Sequence, residues 1–186
     1  MKKFVVTLLI SAMVGTMLFG CGKETQVETP TTTTTETSGE NETADTDEIV
    51  ANATTIQEEL EAVEATYQSK MDAIDSPTAT QTEMNINAQE VYQLWDDELN
   101  SLWGRLSDEL DADRKASLLD DQRQWNDQKE TEIKNAGAEV EGGSMQPLVE
   151  FSTGTELTRD RCYYLAGLLA EVRGETFVLP DDVQMD

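Results

Sequence analysis

The chain has 186 residues, with 38 acidic side chains, 13 basic ones, no histidine and a formal net charge of −25. Such acidity excludes the basic face that nucleic acid or an anionic membrane surface requires. The missing histidine removes histidine metal ligation, the Ser-His-Asp triad and the commonest general base. Two cysteines cannot build a disulfide-rich scaffold or a four-cysteine zinc site. With 38% apolar and 6% aromatic residues, the whole length cannot form one dense core, so part of it must be signal or linker.

Residues 1–20 are expected to be a lipoprotein signal peptide. Lys2 and Lys3 form a positive start, and Phe4 to Phe19 is an uncharged, mostly apolar run too short for a comfortable membrane span. The run ends in Leu18-Phe19-Gly20-Cys21, which resembles the bacterial lipobox, although Phe19 is a less usual choice at its position. That resemblance implies cleavage before Cys21 and acylation of its thiol, palmitate being the expected kind of chain. It also implies a lipid-anchored place on the extracytoplasmic side of a bacterial cell membrane. Each buried methylene contributes about 0.8 kcal/mol, so a multiply acylated cysteine holds firmly.

Residues 21–48 read as a tether. Positions 24–48 hold 10 Thr and 8 Asp or Glu with no aromatic residue, and cannot bury enough apolar area to offset chain entropy. A flexible chain of this length spans roughly 25–30 Å.

A helical domain is expected over 49–174. Thr55 followed by Glu58 reads as a capping box. Ile56, Leu60, Val63, Tyr67, Met71 and Ile74 then recur at spacings of 4, 3, 4, 4 and 3, one apolar stripe on a helix over 54–74 that Asp75-Ser76-Pro77 ends. A longer helix over about 80–110 carries Met84, Ala88, Val91, Trp95, Leu99, Leu102, Leu106 and Leu110. A third, about 113–136, has Asp113 as its expected cap, a more polar inner face of Leu118, Leu119, Gln122, Trp125, Lys129 and Ile133, and Gly137 as its expected stop. After the loop Glu141-Gly142-Gly143-Ser144, with Ser144 as cap, a fourth helix carries Met145, Leu148, Leu157, Cys162, Leu165, Leu169 and Val172 as far as Gly174. Residues 175–186 read as a loose acidic tail. The fold class is all-α, a small bundle of three to four helices after a disordered acidic linker.

From Gln81 to Leu169 the chain resembles the lysozyme-inhibitor LprI-like family of bacterial envelope proteins. The match runs through Met84-Asn85, Tyr92, Asp96-Asp97-Glu98-Leu99-Asn100, Leu118, Gln122-Arg123-Gln124-Trp125, Gly142-Gly143-Ser144 and Leu157-Thr158-Arg159-Asp160-Arg161. The resemblance places the family-like core at about 80–172 and the helix over 54–74 as an addition. Many members carry a cysteine pair where this chain has Ile133 and Thr153, so the bridge the resemblance would imply is absent here. Cys162 sits elsewhere and is expected to be a free, core-facing thiol.

The resemblance also implies inhibition of lysozyme as a possible activity. Many lysozymes are cationic, and residues 49–186 hold 30 acidic and 10 basic side chains. Asp96, Asp97, Glu98, Asp120, Asp121, Glu141 and Ser144 are the candidates for partner contact. The remaining motif residues, Met84, Asn85, Leu99, Asn100, Gln122, Trp125, Gly143, Thr158 and Arg161, are expected to be structural. Asn100 and Gln122 read as buried amides, and Arg161 as an ion-pair partner of Asp97 or of a helix end. Neither a catalytic residue, a metal site nor a cofactor is expected, because acids this numerous reach catalytic separations by chance and no activated nucleophile is visible. The alternative reading is a non-inhibitory envelope adaptor that binds wall polymer or a membrane protein.

Overall fold

The computed structural model describes residues 46–183. The expected signal peptide, Cys21 and nearly all of the tether lie outside the described residues. Five helices follow one another: α1 (Thr46–Asn52), α2 (Ile56–Ile74), α3 (Gln81–Glu109), α4 (Ala112–Ala138) and α5 (Gln146–Arg173). The described residues contain no strand, so the fold is the expected all-α bundle with one short helix more. That helix, α1, covers the last residues assigned to the tether and buries Ile49 in the core.

Each long helix is set by its apolar stripe and its ends. On α2, Ile56, Leu60, Val63 and Ile74 are buried. Thr55 caps it by accepting from the Glu58 N–H, but Glu58 reaches Thr54 N at 3.0 Å, one residue earlier than a closed capping box requires. The complete box sits on α3, where Thr80 accepts from the Glu83 N–H and the Glu83 carboxylate accepts from Thr80 N at 2.7 Å. The cap of α4 is Asp111 rather than Asp113, its carboxylate accepting from the N–H groups of Asp113 and Arg114. Ser144 does not cap α5. Met145 holds that position without a side-chain bond, and Pro147 preorganises the first turn. Gly137 does not stop α4, which runs on to Ala138; it is buried there because a Cβ would collide with Glu150 of α5.

The core lies chiefly between α3 and α5, the broadest interface. Trp95, Leu102 and Leu106 from α3 meet Cys162, Leu165 and Leu169 from α5, all fully buried. Trp95 contacts Tyr67 of α2 edge-on and Tyr163 of α5. Gly154 brings α5 close to α3 and α4, for a Cβ there would lie 2.8 Å from the Tyr92 ring and 3.1 Å from Ile133. By contrast, Leu118 is the only large aliphatic side chain that α4 buries. Leu119, expected on its inner face, is 36% exposed, and Met145, expected on that of α5, is 49% exposed.

The C-terminal segment is not loose. Glu175 accepts from the backbone N–H of Ile56 at 2.9 Å, Val178 N donates to Gln57, and Asp182 pairs with Arg159 at 3.0 Å. Phe177 packs against Tyr163. The segment therefore straps α2 to α5. Among the described residues no helix is long and apolar enough to cross a membrane.

Candidate interaction surfaces

Gln122, Trp125 and Arg161, three of the motif residues, come together where α4 meets α5. Arg161 is 8% exposed. Its Nε donates to Gln122 Oε1 at 2.8 Å and its Nη2 to Asp121 Oδ2 at 2.6 Å. The guanidinium lies 4.6 Å from the Tyr164 ring centre and 5.5 Å from that of Trp125. On the same indole, 4.8 Å from its centre, sits the Lys129 ammonium. Lys129 donates to the Tyr92 hydroxyl at 3.2 Å and pairs with Asp96 at 3.7 Å, joining α4 to α3. A buried cation is tolerable only when paired or stacked on an aromatic ring, and here both conditions hold. The cluster borders an open cavity of about 240 Å³. Its chemistry is that of a latch: polar groups hold α4 in place where apolar area is scarce.

This geometry decides several expected roles. Arg161 is an ion-pair partner as anticipated, but of Asp121 and not of Asp97. Asp96 and Asp121 serve as counterions of the latch. Gln122 is a buried amide bonding across helices, whereas Asn100 is exposed and donates to Asp96 O of its own helix at 2.8 Å. Asp97 and Asp120 are exposed, the first accepting from Gln93 and the second paired with Arg123 at 3.0 Å. Leu99 and Thr158 are core residues, and Met84 is partly buried against the core.

Glu98 is the clear correction. It is fully buried and cannot reach a partner. Arg105 binds Glu59 of α2 with both terminal nitrogens, Nη1 at 2.8 Å, and stays 3.9 Å from Glu98. Burial, reinforced by the neighbouring charge of Glu59, pushes the Glu98 carboxyl up to about 9, with Arg105 opposing. A protonated acid beside a carboxylate is the pairing that glycoside hydrolysis uses, but Glu59 is 2% exposed and a substrate has no access. Cys162 is free and buried, its thiol donating to Trp95 O at 3.4 Å. Burial first, and then Glu98, raises its pKa well above the ordinary thiol value, which keeps it unreactive.

At another end of the bundle the turn between α4 and α5 is tied down from several sides. Gly143 N donates to Val140 O at 2.9 Å, Gly142 N to Gln146 Oε1 at 2.8 Å, and Asn85 Nδ2 of α3 to Ser144 O at 3.0 Å. Gly142 takes a positive φ of 74°, which glycine accommodates without strain, and Gly143 does not. Glu141, Gly143 and Ser144 are exposed, as are Ile86 at 51% and Met145 at 49%.

The sequence reading missed Glu59, Arg105 and the role of Lys129. A signal existed for two of the buried charges. Glu98 stands three residues after Trp95 and four before Leu102, and Lys129 four after Trp125, so both occupy inner stripes.

The surface charge is one-sided. Lys70, Arg105, Arg114, Arg123, Lys129, Arg159, Arg161 and Arg173 all sit in ion pairs. Most of the positive charge of the described residues is thus already matched by carboxylates of the same chain, partly buried and partly at the surface, and the excess carboxylates face solvent. Among the described residues no group of acids and cysteine is placed to hold a metal ion.

No curated protein and no solved structure matches the chain. A family model described as "Lysozyme inhibitor LprI" matches residues 72–165, half of the sequence. That span takes in α3, α4, the tied turn and α5 as far as Leu165, and with them the latch. The chain belongs to the LprI lysozyme-inhibitor family.

Proposed function

We propose that this protein is a lipid-anchored, extracytoplasmic inhibitor of cationic lysozyme-type muramidases that works by docking and not by chemistry. The observation that carries the reading is the family match over residues 72–165. Two further features support it. The lipobox-like Leu18 to Cys21 suits export and acylation. The acidic excess of residues 49–186, 30 acids against 10 bases, suits a cationic partner; such complementarity accelerates encounter and selects partners more than it sets affinity.

The test is a titration of the detergent-solubilised full chain against a cationic lysozyme, with an unrelated, equally acidic helical protein as control. Inhibition at micromolar protein, weakening with added salt and absent from the control, is the expected result. Equal inhibition by the control would reduce the effect to net charge. Binding without inhibition would favour an adaptor role.

A further inference from the structure

Four large apolar side chains are markedly exposed among the described residues: Ile86, Leu119, Met145 and Val178. Two of them flank one hydrogen bond. Asn85 donates to Ser144 O, Ile86 follows Asn85, and Met145 follows Ser144. The tie therefore sets an exposed apolar residue of α3 and one at the cap of α5 on either side of the same bond. Carboxylates border it: Glu141 stands exposed in the adjoining turn, and Glu83 and Glu90 lie three before and four after Ile86 on the same helix face, the first engaged in the α3 capping box and the second paired with Lys70 at 3.0 Å. The turn is prearranged by its own bonds to Gly143, Gly142 and Gln146. An apolar centre within a charged rim, on backbone that loses little freedom on contact, is the anatomy of an interface anchor.

We propose that the Ile86–Met145 pair on the α3–α5 tie is the surface that docks on the cationic muramidase, with Met145 as the anchoring side chain. This rests on the inhibitor reading above and goes beyond it by naming the surface. The partner patch it fits is a basic one with an apolar recess: Lys and Arg meet Glu141 and the acidic excess of the domain, and the recess takes the thioether, a flexible and polarisable filler. Charge steers the encounter and the apolar pair holds it.

The experiment uses the full chain and its Met145→Asp, Ile86→Asp and Leu119→Asp variants, each measured for lysozyme affinity and for urea stability. Met145 is exposed at the start of α5 and makes no side-chain bond there, so aspartate, a negative charge at a helix N-terminus, should leave the fold as stable as before. It also adds negative charge, which steering alone would reward. Leu119 lies in the first third of α4, roughly 28 Å along the helix from its C-terminal end, and serves as control. Met145→Asp and Ile86→Asp should each weaken binding roughly tenfold or more, with Leu119→Asp unchanged. Wild-type inhibition retained in Met145→Asp and Ile86→Asp overturns the docking surface and leaves the inhibitor reading standing, and equal loss in Leu119→Asp also overturns it. No binding by the wild-type chain at low salt overturns both.

Discussion

A carboxyl group without water stays cheapest when protonated, and Glu98 is placed to show it. Its pKa rises from an ordinary value near 4.5 to about 9 through burial and the charge of Glu59. Below about 4.5 folded and unfolded chains both hold the proton. Between the two values only the fold keeps it. The stability that Glu98 contributes is therefore fully present below the lower value and is lost progressively as pH climbs to about 9. Urea midpoints at pH 5, 7 and 9 should fall in that order, and Glu98→Gln should flatten the series and raise the midpoint at pH 9. An unchanged slope in the variant would place the titration elsewhere. Arg161 offers the converse case. Arg161→Ala removes a stacked cation and strands Gln122, which should cost about 1–3 kcal/mol in urea unfolding. Arg161→Lys keeps the charge without the planar fork and should recover only part of that.

At the scale of elements, α4 is the weakly packed helix, held by Leu118 and the latch in place of an apolar stripe. Ile133, where the family resemblance would lead one to expect a cysteine, packs beside Gly154, next to Thr153, the second such position. Apolar packing stands there instead of the covalent link. The double substitution Ile133→Cys and Thr153→Cys should close a bridge under oxidising conditions and raise stability by about 2–4 kcal/mol, read as a shift in urea midpoint that a reductant abolishes. Helix positions were legible in the sequence because apolar residues at spacings of 3 and 4 leave one reading. The cap of α2 fell on Thr55 as expected, whereas those of α4 and α5 were displaced by two residues and one, because Asp111 and Asp113, and Ser144 and Met145, compete for one role and only the backbone path decides. The partner of Arg161 was not legible at all, since the register of α5 against α4 is set by side-chain fit and leaves no periodic trace. Nor was the docking of Glu175 on Ile56, an isolated polar contact between residues far apart in the chain.

For the molecule as a whole, the proposed lipid at Cys21 predicts a simple fractionation result: the wild-type chain sediments with membranes, and Cys21→Ser is recovered in the soluble fraction. The strap from Glu175 to Asp182 adds a matter of direction. Glu175 follows the C-terminus of α5 and bonds Ile56 at the start of α2. The start of α2 thus lies beside the end of α5. Met145 stands where α5 begins, 28 residues earlier, or about 42 Å away at 1.5 Å per residue. The exposed Met145 thioether and the strap are therefore separated by the whole length of α5.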